Sequence, residues 1–481
     1  MAVFWQDIRY ASFHSGKLRL TGATATSRKP RAQLMRILGL GFGLAVVFGS
    51  TVGVGILRLP GIVAAQLGNS WLVLAIWIGG GIYALLGAVS IAELAAMLPA
   101  TGGFYVYSKR AFGPAAGFTV GWGDWLNNCA TLAFGSVAAA EYLAALISPL
   151  AGHETAVALL LLASLTLVHW IGMRLSSVVL QLSCSATALT LIVLACACLF
   201  HGSAADSAFH HPLRGAPANA LAIFAALIVA FRAVIVTYDG WYEAIYFAEE
   251  DKNPTRNLPR ALIGGVVLII ALYLLMNTAF LRVMPMAQLA ASKLPAADAA
   301  RVVFGSTSFA AGSGKFVTLL SLLTLISLVN SVMLGAPRIL FAVGRDGLFS
   351  ERVATVSATG TPRPALLLSS LAAVVLVASG TFENIVTVAA FFVAFIYCLN
   401  YVALFTLRWR EPATPRPFRA WGYPFSTGIV LLGSFLFLVA AVLGDPGSAV
   451  RAFVLLGISV PVYLWMQRRR MRRRRGVSQP G

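Results

Sequence analysis

The chain has 481 residues, 59% of them hydrophobic and 11% charged, with a mean hydropathy of +0.82, against roughly 25% charged residues in an average soluble domain. That composition excludes a soluble enzyme and defines a polytopic membrane protein. The formal charge of +19 does not indicate nucleic acid, because the cations alternate with apolar runs instead of gathering into one patch.

Residues 1–36 are polar and basic without the apolar core of a signal peptide, and are expected to form a cytoplasmic tail. Twelve apolar runs follow, near 39–66, 71–98, 117–148, 154–173, 175–200, 219–247, 260–284, 312–344, 364–381, 384–408, 425–443 and 449–467. Each suffices to cross a hydrocarbon layer about 30 Å thick. The first run is interrupted by Gly49-Ser50-Thr51-Val52-Gly53-Val54-Gly55, and the predicted half-helix from Ile56 outward presents its N-terminus and freed amides to the gap, an arrangement suited to a carboxylate. Non-helical backbone at membrane depth is tolerated only where it is buried in protein or lines a cavity. Close helix packing is the other use of such glycines.

Asp124, Asn127 and Asn128 give the third run polar contacts near a site or between helices, and an amphipathic lead-in begins near Tyr105. His169, near the end of the fourth run, reads as a packed or interfacial histidine. The sixth run breaks at Val236-Thr237-Tyr238-Asp239-Gly240-Trp241, where exposed carbonyls suit an ammonium group or a cation. Asp239 at membrane depth is a candidate for a substrate amine, an ion or a proton, with capping of the inner half-helix as the alternative. Glu243, four residues on, shares its helix face, and like charge in a low dielectric favours loading of a proton there. Thr324, Ser327 and Ser331 in the eighth run supply hydroxyls for the rival, a sodium ion.

The cations set the topology. Arg36, Lys109, Arg110, Arg174, Lys252, Arg345, Arg408 and the arginines from Arg468 to Arg475 all fall on one side of a twelve-span chain, which places both termini in the cytoplasm, most naturally of a plasma membrane. The C-terminal run also suits anionic lipid head groups. Spans one to five and six to ten form two blocks, each opened by a broken helix. Five being odd, they make an inverted repeat with a site at their interface. The expected organisation is a cytoplasmic tail over 1–36 and one transmembrane domain over 37–468, with a basic cytoplasmic tail over 469–481. Within the domain, repeat one covers about 37–200, repeat two about 219–408, and the extra helices 425–467. The five cysteines, Cys129, Cys184, Cys196, Cys198 and Cys398, lie within the runs without a metal or disulfide framework.

Gly53-Val54-Gly55-Ile56 with Pro60-Gly61, Glu93-Leu94 with Pro99 to Tyr107, and Tyr238-Asp239-Gly240-Trp241 with Glu249 to Arg260 occur here in order. They are followed by Pro337-Arg338, Gly344 to Leu348, Thr361-Pro362, Arg416 to Arg419 and Gly422-Tyr423-Pro424. Together, over roughly residues 40–425, they resemble the amino acid–polyamine–organocation permeases. The resemblance implies an all-α, LeuT-type fold with twelve transmembrane helices in a 5+5 inverted repeat, helices 1 and 6 being broken at mid-membrane. It also implies secondary transport, with the substrate carboxylate on the helix-one loop (Val52 to Ile56) and the amine on the helix-six carbonyls (Val236 to Trp241). Val54 departs from the family by lacking a hydroxyl, and Val236 stands where an aromatic lid is common, so that Trp122, Trp125 and Tyr238 become the candidates for a gate. No lysine stands in the fifth run where several relatives carry one in place of sodium. Arg58 and Arg232 are unassigned cations near the outer ends of the two broken helices.

The resulting expectation is a permease for an amino acid or related amine, coupled to H+ or Na+, with no cofactor, no metal and no covalent catalysis. A sensor receptor on a transporter fold is the alternative; the sequence leaves substrate, coupling ion and oligomeric state open.

Overall fold

The computed structural model describes residues 34–201, 208–209, 219–305, 312–379 and 382–477. Most of the expected N-terminal tail, Arg214 and the last four residues lie outside the described residues. Within them the protein is helical, the sole strand-like pairing being a single bridge between Leu38 and Asp251.

The first apolar run forms α1 (Leu40–Thr51) and α2 (Gly55–Leu67), whose axes differ by 48° across Val52-Gly53-Val54. Gly68 ends α2 at a φ of 60°, and the Asn69 side chain accepts from the amides of Trp71 and Leu72 to start α3 (Ser70–Met97). The amphipathic lead-in near Tyr105 is a separate helix, α4 (Phe104–Phe112), set apart by Gly113 from α5 (Pro114–Leu146). Then come α6 (Glu154–Ile171), α7 (Met173–Phe200) and α8 (Ala220–Tyr238), the last capped by the Asn219 side chain. At Asp239-Gly240 the backbone leaves α8 and resumes as a 3₁₀ helix, Trp241–Phe247.

Next are α9 (Pro254–Val283), the short α10 (Met286–Ala291) and α11 (Pro295–Phe304), and α12 (Ser313–Arg345). The chain continues through α13 (Arg363–Ala378), α14 (Phe382–Arg410), α15 (Phe425–Gly444), α16 (Pro446–Gly457) and α17 (Ser459–Val477). Among the described residues ten helices are long and apolar enough to cross a membrane, or eleven if α1 and α2 make one span; α13, with 16 residues, is apolar but shorter. The chain is an integral membrane protein.

Burial sorts the helices. In α12, 78% of the apolar window is enclosed by protein, against 17% in α6 and in α15, so α12 stands at the centre and the other two at the rim. Polar side chains concentrate accordingly on the central helices: Ser321, Thr324, Ser327, Asn330 and Ser331 of α12 and Asp124, Asn127 and Asn128 of α5 are all buried.

One end of the bundle is laced by ion pairs. Arg338 of α12 holds Glu250 through Nε at 2.5 Å, both side chains almost fully buried. Arg345 reaches Glu249 at 2.6 Å, Lys109 reaches Asp346 at 2.5 Å, and Arg110 reaches Glu411 at 2.8 Å. Glu93, buried, bonds Arg408 and lies 3.2 Å from Arg416. The ion pairs thus join the C-terminal parts of α3, α4, α12 and α14 with the acids that follow the 3₁₀ helix.

Candidate functional site

A cavity of about 380 Å³ opens where the two interrupted helices face each other. Its wall includes Ser50, Thr51, Gly53, Val54 and Gly55 from the first interruption, and Ile235, Val236, Thr237, Asp239 and Gly240 from the second. α5 contributes Asn127, Thr131 and Phe134; α12, α14 and α15 add mostly apolar residues, with Tyr397 and Ser434 as polar exceptions.

Three hydrogen bonds fasten the interruptions together. Ser50 Oγ donates to Gly240 O at 2.8 Å, and Tyr273 Oη of α9 reaches Thr51 O at 3.2 Å and Thr237 O at 3.1 Å. Gly240 has a φ of 104°, and a Cβ there would stand 2.3 Å from Ser50 O; only glycine satisfies both demands. The crossing is therefore fixed by backbone and not by side-chain bulk.

The amides at the start of α2 are left free. Val52 N still bonds Phe48 O, and Leu57 and Arg58 bond back to Val54 O, but the N–H groups of Val54, Gly55 and Ile56 find no acceptor among the described residues. Across the cavity, Asp239 Oδ1 accepts from Tyr397 Oη at 2.5 Å. Tyr397 is held by Trp241, stacked on it at 17°, with Tyr242 and Phe104 edge-on. One wall therefore offers amide donors and the helix dipole's positive end, and the opposite wall a carboxylate.

The expected site residues divide. Gly53, Val54, Gly55, Val236, Thr237, Asp239, Gly240 and Glu243 line the cavity, whereas Val52, Ile56, Tyr238 and Trp241 are buried behind it. Thr324 and Ser327 lie off the cavity and bond to carbonyls of their own helix, Ser321 O and Leu323 O. Ser331 Oγ donates to Val46 O at 3.2 Å, and Cys184 Sγ to Ala45 O at 3.3 Å.

None of the three gate candidates lines the cavity: Trp122 donates to Leu455 O, Trp125 to Ser369 Oγ and Tyr238 to Trp77 O. The rings that do line it are Tyr83, Phe134, Tyr242, Tyr397 and Phe437. Arg58 reaches the cavity and stacks over the Tyr142 ring at 5.1 Å, while Arg232 is exposed on α8 away from it. Tyr273 and Tyr397 escaped the sequence reading. Their only signal was a hydroxylated ring inside an otherwise apolar run.

A bundle of apolar helices around a mostly apolar cavity with a few polar groups at two helix interruptions is the architecture of a membrane transporter. The chain belongs to the amino acid permease family, whose profile matches residues 43–464. It is 28% identical over 448 residues to the serine/threonine exchanger SteT of Bacillus subtilis (strain 168), covering 91% of this chain and 98% of that protein. It is 27% identical to the b(0,+)-type amino acid transporter 1 of Mus musculus, covering 92% and 90% of the two chains. To the mouse Asc-type amino acid transporter 1 the identity is 26%, over 90% of this chain and 81% of that one.

Proposed function

We propose that this permease moves small amino acids across the plasma membrane by alternating access, the substrate lying between the two interruptions. The carrying observation is that one cavity is lined both by Val54 and Gly55, whose amides are unpartnered, and by Asp239 with its carboxylate. A zwitterion fits that pairing, its carboxylate on the amides and its amine against Asp239 and the carbonyl end of α8. The apolar wall, with Phe134, Leu328, Val332 and Val393, takes a short side chain. The names of the relatives, among them a serine/threonine exchanger, support the same substrate class.

In this reading the chain crosses the membrane twelve times. α1 with α2, and α8 with the 3₁₀ helix, are spans broken at mid-membrane; α13 is a short span, and α16 with α17 is the last. A single domain over about 37–468 carries two inverted repeats, about 37–200 and 219–408, with α15 to α17 as additions. Both termini are cytoplasmic, where the ion-paired face and the basic tail meet anionic lipid.

A proton is the favoured coupling ion. The helix-one carbonyls that sodium would need, Ala45 O and Val46 O, already accept from Cys184 and Ser331, and Thr324 and Ser327 are turned to their own helix.

The test is exchange in liposomes. Protein loaded with unlabelled L-serine should take up labelled L-serine or L-threonine, and the same amino acids should raise its thermal stability. Stabilisation without any exchange would reject the permease reading and leave a sensor.

A further inference from the structure

From the cavity wall inward runs an acidic constellation that the proposed substrate contacts do not use. Asp124 of α5 is fully buried; its Oδ1 accepts from Tyr246 Oη at 2.7 Å, and its Oδ2 has no partner. Glu243 is 2% exposed, and its Oε2 is likewise without a partner. Residues three apart in a 3₁₀ helix eclipse each other, so Glu243 and Tyr246 stand on one face. Gly335 of α12 locates both: a Cβ there would meet Glu243 Oε2 at 2.3 Å and Tyr246 Cδ2 at 3.1 Å. Tyr246, bonded to Asp124 through Oη and packed by its ring beside Gly335 with Glu243, therefore links the two carboxyl groups. Asn127 Oδ1 and Asn128 Oδ1, from the adjoining turn of α5, are also buried and unpartnered.

Among the described residues no cation is paired with them; Arg58, which reaches the same cavity, stacks over the Tyr142 ring. On α5 the only ionisable group facing the constellation is Asp124 itself. The 3₁₀ helix brings Tyr242, which receives from Asn127 Nδ2 at 3.3 Å, and Tyr246. The end of α8 brings Asp239, engaged by Tyr397 of α14. On α12, Arg338 is committed to Glu250 and to Leu334 O; on α4, Lys109 is committed to Asp346; α1 contains no charged residue. The carboxyl groups that bear electrostatically on Glu243 are Asp124 and Asp239. Two carboxylates without a counter-charge at low dielectric repel each other and lose hydration worth several kcal/mol each. One proton removes one of the two charges and with it the repulsion.

We propose that Asp124 and Glu243, linked through Tyr246, form a buried acidic pair of which one member carries a proton, a proton site at the amino acid cavity, while Asp239 stands outside the pair and faces the substrate amine. Its coupling role rests on the permease reading. Glu243 borders the cavity and Asp124 does not. The proton therefore leaves from a Glu243 carboxyl O–H to water in the cavity and returns the same way, no other bond changing.

Two measurements test this. Infrared difference spectra of purified, amino-acid-free protein, taken between acid and neutral pH, should show a protonated carboxyl C=O band. That band should be altered in Glu243→Gln and in Asp124→Asn but kept in Asp239→Asn. Absence of the band from the unmodified protein, or indifference of the band to both substitutions, overturns the pair; if Glu243→Gln does not fold, Asp124→Asn reads the same site. In liposomes containing a pH-sensitive dye, L-serine uptake should carry protons inward, and the ratio of protons to serine should fall several-fold in Asp124→Asn. An unchanged ratio overturns the coupling. Should no amino acid be exchanged at all, the permease reading fails while the infrared result still decides the pair.

Discussion

At Gly53 an added Cβ meets nothing within 4 Å, whereas at Gly55 it meets Thr237 Cγ2 at 2.9 Å. The two glycines, alike in sequence, thus have separate duties: Gly53 keeps cavity space clear, and Gly55 lets α2 pack against α8. Gly53→Leu should leave the melting temperature of the purified protein near that of the parent and remove stabilisation by L-serine, because the side chain fills the solute's place. Gly55→Leu should lower stability itself by about 1–3 kcal/mol, the usual penalty of overpacking. Equal melting temperatures for both variants would contradict this division. Glycine spacing revealed the interruption, since a Cβ-free backbone is the requirement there. It did not reveal which glycine faces the cavity, because that depends on where Thr237, far along the chain, comes to rest.

The interruptions act as a pair because α9 joins them. Tyr273 Oη donates toward Thr51 O and Thr237 O, one carbonyl from each interrupted helix, and is itself fully buried. Tyr273→Phe leaves both carbonyls without that donor in a site closed to water, at a cost of about 1–3 kcal/mol. The expected result is a lower melting temperature together with weaker L-serine binding, since the two walls lose their common anchor; a variant with unaltered stability and affinity would show that the anchor is idle. The extents of the helices could be read from hydropathy, from the first run to the fused α16 and α17. The aromatic assignments could not. Trp122 and Trp125 are gate candidates in the sequence because Val236 stands where relatives carry an aromatic lid, yet their indole N–H groups point to Leu455 O and Ser369 Oγ. Tyr397 reaches Asp239 across 158 positions of sequence. Likewise Glu249, Glu250, Arg338 and Arg345 stood out as separate motifs, and only folding makes them one ion-paired face.

At the scale of the whole molecule, the proposed reading makes the cations set orientation and the carboxyl groups set the driving force. In a background without the five native cysteines, single cysteines at Ser148, between α5 and α6, and at Ala358, between α12 and α13, should label from opposite sides with an impermeant thiol reagent. Labelling of both from outside in sealed cells would break the twelve-span topology. The driving force follows from what each candidate ion finds inside. Sodium needs several oxygen ligands with free lone pairs, and Ser331 of α12 and Cys184 of α7 already donate to the helix-one carbonyls Val46 O and Ala45 O. A proton needs only one carboxyl oxygen, and Asp124 Oδ2 and Glu243 Oε2 are both buried without partners. Moving a proton inward with each amino acid adds the membrane's proton gradient to the solute gradient. In liposomes, acid outside should drive L-serine above equilibrium, and dissipating the pH difference should leave one-for-one exchange running without net accumulation. Accumulation that follows a sodium gradient and ignores the proton gradient would reject the carboxyl mechanism and return coupling to the hydroxyls of α12.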